Sequence, residues 1–137
     1  MKTLKTIMLA LGVVALSATG LLAQTAVANI PFDFNVQNAT LPAGNYSLAQ
    51  LNETSGVLKI MNTDSNKAIT VLMLPSNHKR PETGKIVFHV YGDRYFLSEI
   101  RTPSGRQGYV KPSRTERELQ ASNGVQMASL AIPLGAQ

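Results

Sequence analysis

Residues 85–96 read KIVFHVYGDRYF: an apolar run, a Gly-Asp pair and a second aromatic run. A two-residue Gly-Asp loop between such runs predicts a β-hairpin, because glycine takes the positive φ that a II′ or I′ turn needs. Folding about Gly92-Asp93 sets Tyr91 against Arg94, Val90 against Tyr95, His89 against Phe96 and Phe88 against Leu97. Side chains alternate between the two faces of a strand. Ile86, Phe88, Val90, Tyr95 and Leu97 therefore share an apolar face that belongs in a core. His89, Tyr91, Arg94, Phe96 and Ser98 share the other, which is mixed: either a ligand platform or a half-covered sheet surface with Arg94 stacked on Tyr91.

Strand signals continue on both sides of the hairpin. In NIPFDFNVQ, Ile30, Phe32, Phe34 and Val36 alternate with Pro31, Asp33 and Asn35, the pattern of a half-buried strand. Pro31 cannot donate a ladder hydrogen bond and belongs near a strand start or on an edge. LPAG (41–44) turns into NYSLAQL, with Tyr46 and Leu48 on one face, and NETSG (52–56) turns into VLKIMNT. Asp64 to Lys67 turns into AITVLML, whose unbroken apolar character predicts a strand buried on both faces. PSNHKRPETG (75–84) is a polar loop. Turn signals about every eight to twelve residues between short strands indicate a mainly β chain. The expected fold is a single antiparallel β-sandwich or small barrel of about seven strands with one short helix late in the chain. That helix starts at Pro112-Ser113-Arg114-Thr115-Glu116, where Ser113 can cap and Glu116 can complete a capping box. Arg114 and Glu118 are spaced i,i+4 for a surface pair. Only Leu119 and Ala121 offer an apolar stripe, so the helix should dock shallowly before Asn123-Gly124 ends it. VQMASLAIP (125–133) reads as a last strand able to pair with an edge.

Residues 1–23 have the three parts of a secretory signal peptide: Lys2 and Lys5, the apolar IMLALGVVAL (7–16), and the small-residue stretch SATGLLA. The apolar run falls short of the roughly 20 residues a spanning helix needs. Cleavage after Ala23 leaves a c-region of ordinary length. Ala26-Val27-Ala28 fits the small-residue rule better but would cut at the edge of an expected strand. The expected organisation is thus a signal peptide over 1–23 and a single β-rich domain over 24–137, in the periplasm or outside the cell. With no cysteine among 137 residues, neither a lipid-anchored cysteine nor a disulfide is available. Without Lys2 and Lys5, 11 of the 13 basic residues remain against 8 acidic ones. They are scattered from Lys59 to Arg117, whereas nucleic-acid binders concentrate such charge on one face. Nucleic acid is not expected as a partner, and no transmembrane segment is expected after signal cleavage. An outer-membrane barrel needs at least eight strands of about ten residues and is disfavoured.

No catalytic motif emerges. His78 and His89 lie outside zinc-ligand spacing, and there is no glycine-rich phosphate loop or Gly-x-Ser-x-Gly elbow. Gly105 and Gly108 flank Arg106 in a stretch that reads as loop punctuation. Asn38-Ala39-Thr40, Asn45-Tyr46-Ser47 and Asn52-Glu53-Thr54 match the glycosylation sequon and read as turn chemistry. The candidate binding residues are His89, Tyr91, Arg94, Glu99 and Arg101; no catalytic residue, metal ligand or cofactor is expected. A histidine in such a place is often structural, and Glu99 with Arg101 forms an ordinary same-face pair.

IPFDF, LPAGNYSL, SGVLKI, KIVFHVYGDRYFLSEI and SRTERELQ, in that order from about Ile30 to Leu119, resemble a group of small exported proteins abundant in acidobacterial genomes. Val90 stands where a basic residue would be usual in that group, and Arg101 where an aromatic would be. The resemblance implies export and a β-rich fold. It brings no activity, substrate or functional residue. Two function classes follow: a non-enzymatic binding or structural protein with a protein or cell-envelope partner, or a small-ligand carrier or enzyme with a pocket near the 85–101 hairpin.

Overall fold

The computed structural model describes residues 25–51, 55–103, 107–122 and 124–136. The expected signal peptide, the third sequon and the Gly105-Arg106 stretch lie outside them. In chain order the elements are β1 (Thr25–Ile30), β2 (Phe34–Val36), β3 (Ala39–Leu41), β4 (Gly44–Gln50), β5 (Val57–Asn62), β6 (Ala68–Pro75), β7 (Lys85–Tyr91), β8 (Arg94–Arg101), β9 (Gly108–Val110), α1 (Arg114–Ala121), β10 (Met127–Pro133) and β11 (Gly135–Ala136). The chain is mainly β, as expected. Its strands outnumber the seven expected because β2, β3, β9 and β11 are only two or three residues long, too short to show a period in sequence.

The pairings run along one open path, β10-β7-β8-β9-β6-β5-β4-β1-β11, with β2 attached through β3 and β8. Neighbours on the path are antiparallel; β2 meets β8 in parallel at a single bridge, Asn35 with Phe96. Leu134 alone separates β10 from β11, so one C-terminal stretch supplies both ends of the path.

The alternating residues of NIPFDFNVQ bury as their spacing requires: Ile30, Phe34 and Val36 are all in the core. They do not form one strand. The β1–β4 ladder ends at Ile30 with Gly44, Pro31 brings no N–H to continue it, and β2 pairs elsewhere. Asp33 Oδ1 secures the crossing by accepting the Ala43 N–H at 2.9 Å. Aromatic edges fill the centre, with Phe34 edge-on to both Tyr46 and Phe88. Phe32 packs edge-on to Phe88 and stacks on Tyr95. Burial raises the Tyr46 hydroxyl pKa, with Asp33 adding to the rise and a hydrogen bond with Asn62 opposing it.

β6 departs from expectation. Only Val71 and Met73 are buried, and Leu72 between them is 52% exposed. AITVLML is therefore a strand with one wet face, its apolar run notwithstanding. At the following end of β5, Asn62 Oδ1 accepts the Asp64 and Ser65 N–H groups, and Asn66 takes φ 60°. That side chain builds the turn expected over Asp64–Lys67.

Candidate functional site

The β7–β8 hairpin forms as its sequence predicts. Gly92 sits at φ 65° while Asp93 keeps a negative φ, the II′ combination. The expected register holds from Tyr91↔Arg94 to Phe88↔Leu97 and then slips by one: Val87 faces Glu99 and Ile86 faces Ile100. Ser98 is the extra residue of a β-bulge. The slip reverses the facing of everything after it. Without the bulge Glu99 would follow Leu97 into the core; with it, Ile100 is buried and Glu99 joins the outer face beside Val87.

On that outer face His89, Tyr91 and Ser98 meet α1. Ser113 is the N-cap, accepting the Glu116 N–H at 3.2 Å. The Glu116 carboxylate does not return to the cap as a capping box would. It turns inward and is the one buried side chain of the helix. Its Oε1 accepts the Tyr91 hydroxyl at 3.0 Å and lies 2.9 Å from His89 Nδ1. Gln120, one turn on, donates to the Tyr91 hydroxyl at 2.9 Å. Ser98 Oγ is 3.0 Å from His89 Nε2. A carboxylate can only accept, so the network puts a proton on His89 Nδ1, with Ser98 Oγ facing Nε2 on the other side of the ring. Burial raises the Tyr91 pKa, and the adjacent Glu116 charge adds to this against a hydrogen bond with Gln120 that lowers it.

A second cluster gathers where β6, β8 and the 76–84 loop meet. Glu99 Oε1 accepts from Ser76 Oγ at 2.9 Å and lies 2.6 Å from His78 Nδ1. Its Oε2 accepts from Arg101 at 3.1 Å. Gln107 donates to the His78 carbonyl and is itself buried. Burial alone would raise the Glu99 pKa. The hydrogen bonds from Arg101, His78 and Ser76, with the Arg101 charge, outweigh it and hold the carboxyl below its usual value. The Glu99–Arg101 pair is thus not a surface pair, since Glu99 is 5% exposed.

The five candidate residues therefore divide into three groups. His89 and Tyr91 bind Glu116, Glu99 and Arg101 bind each other, and Arg94 places its guanidinium 5.5 Å over the Phe96 ring rather than on Tyr91. The stacking partner shifts because Tyr91 is 2% exposed beneath α1 and its ring face is not free. Sequence reading missed Glu116 and His78. Each histidine takes its glutamate from more than twenty positions away, a separation no local motif records.

Bond order in the first cluster, Ser98 Oγ to His89 Nε2 and His89 Nδ1 to Glu116, is that of a Ser-His-acid relay. In the second it is not: Ser76 and Glu99 share the same His78 nitrogen. A relay also needs a cleft at its nucleophile and donors for an oxyanion. A concavity of about 320 Å³ lies at the start of α1, lined by Gln37, Asn38, Lys111, Pro112, Ser113, Arg114 and Arg117. Neither Ser98 nor His89 lines it. Among the described residues no three His, Asp or Glu side chains gather as a metal-binding group, and no helix is long and apolar enough to cross a membrane. The chain matches no protein family, no curated protein and no solved structure.

Proposed function

We propose that this chain is an exported, non-enzymatic β-domain protein of the cell envelope or extracellular space, acting as a binding or structural component. One observation carries the reading: the His89, Tyr91, Ser98 and Glu99 side chains of the hairpin's outer face are engaged in internal bonds. Glu116 pins α1 to β7 through His89 and Tyr91, and Glu99 ties the 76–84 loop to β8 through His78 and Ser76. Export is supported by the signal-peptide pattern of residues 1–23 and by the likeness to small exported acidobacterial proteins. Where β1 begins bears on the cleavage position within that segment. Cleavage after Ala23 leaves β1 whole, whereas cleavage after Ala28 removes four of its six residues.

The Ser98–His89–Glu116 order favours a second reading, an acyl-transfer enzyme with Ser98 as nucleophile. Incubation with a fluorophosphonate separates the two, because an activated serine is phosphonylated and fluoride leaves. Unchanged intact mass is expected. An adduct mapped to Ser98 and lost in His89→Ala would establish the enzyme instead.

A further inference from the structure

β10 is bonded along one edge only. All seven of its residues pair with β7, and among the described residues no strand pairs with its other edge. Every side chain of the strand except Ile132 is exposed, Met127 at 49% and Leu130 at 38%. Leu130 pairs with core Phe88 and Ala128 with Val90, so the uncovered groups include the strand's core-side face. No charged residue occurs from Leu119 to Gln137. Proteins usually guard a free edge with lysines, bulges or very short strands. β10 is long, regular and uncharged.

The ladder also shows which backbone groups are free. Leu134 donates its N–H to the Gly84 carbonyl at 2.9 Å, one step beyond the Pro133↔Lys85 pair. Bonded pairs alternate along an antiparallel ladder. Ile132, Leu130 and Ala128 therefore turn their N–H and C=O groups to β7, while Met127, Ser129 and Ala131 turn theirs outward. Pro133, which has no N–H, falls on the outward side, where its lack breaks no bond to β7.

We propose that β10 is an assembly edge at which two copies of this chain pair antiparallel about a two-fold axis through Ser129. That register sets Ser129 against its own copy and Met127 against Ala131, so every outward N–H meets a C=O and Pro133 is left outside the ladder. Ala128 and Leu130 then lie across from each other and cover the open core-side face. No charge opposes a charge anywhere along the pair, which is what a self-pairing edge requires of an uncharged strand. The sheet of one copy continues into the other as β7-β10-β10-β7.

Sedimentation of the mature chain tests this, with a mass twice that of the chain expected as concentration rises. Ser129→Lys sets like charges directly opposite and should give the single-chain mass, as should Ser129→Glu; mixing the two should restore the doubled mass. Ser129→Pro removes an outward N–H that β7 does not use. It should also be single-chain, with the circular dichroism of the native fold. Two results overturn the proposal. One is a wild type of single-chain mass at every concentration, including one whose β10 edge takes up an added strand peptide in place of a second copy. The other is a doubled mass that persists in both Ser129→Lys and Ser129→Pro.

Discussion

Glu99 is an acid in a nearly sealed site, yet hydrogen bonds from Arg101, His78 and Ser76 favour its ionised form over the neutral one. Its pKa in the fold lies below the ordinary value, so the fold binds fewer protons there than the unfolded chain does. That difference stabilises the protein above the unfolded pKa and vanishes as pH falls through the folded one. Thermal melting should therefore decline on acidification below about pH 4.5, the ordinary carboxyl value. Glu99→Gln should melt lower at neutral pH and lose part of that acid slope; an unchanged slope would show that Glu99 is not its source. Gly108 offers a second test. A Cβ there would stand 2.5 Å from the Leu74 carbonyl oxygen of the neighbouring strand, so Gly108→Ala must move backbone and should destabilise by about 1–3 kcal/mol in chemical unfolding. Neither role was legible in sequence. Glu99 read as a surface partner of Arg101, and Gly108 as loop punctuation, because a close approach between strands leaves no local mark.

The bulge at Ser98 is the element-level feature on which the outer face depends. The pairing read from the turn outward did not include it, because it shows only with both ends of β8 in view. Phe88 and Leu97 fix the core face near the turn, and Ile86 needs an apolar partner farther out. Ile100 meets that need and Glu99 does not, so one residue must be skipped between them. Deleting Ser98 should restore an unbroken register with the same facings, Leu97 inward, Glu99 opposite Val87 and Ile100 opposite Ile86. The expected outcome is a chain that keeps its β-sheet circular dichroism but melts lower, because the contact of Ser98 Oγ with His89 Nε2 is lost; loss of the sheet signal would show that the fold needs the bulge itself. Helix α1 was legible at its start, where Ser113 caps as its position predicts. Ser113→Ala should cost about 1 kcal/mol and speed amide exchange within α1 before the sheet is affected. The docking of the helix was not legible. The sequence offers Leu119 and Ala121 as an apolar stripe, whereas the buried contact is a carboxylate whose partners lie 25 and 27 residues earlier.

At the scale of the whole molecule, period-two alternation and turn spacing were enough to recover a mainly β chain and its longer strands from β4 on, though not β1. They could not recover the path of the sheet, which depends on long-range pairings such as β6 with β9 and β1 with β11. N-terminal sequencing of exported protein should begin at Gln24, and a start at Asn29 would contradict the wholeness of β1. What holds α1 to the sheet is the Glu116 network, and alanine at that position isolates it. Glu116→Ala keeps a strong helix former and leaves the backbone N–H that Ser113 caps, removing only the carboxylate between His89 and Tyr91. One buried donor, the Tyr91 hydroxyl, and one partly buried donor, His89 Nδ1, then lose their acceptor, a loss of about 3 kcal/mol, or about 10 °C or more in a domain of this size. Thermal unfolding of Glu116→Ala beside the wild type is the most direct measurement. A fall of that order with faster exchange across α1 is predicted, and an unchanged melting temperature would contradict a structural role for the cluster.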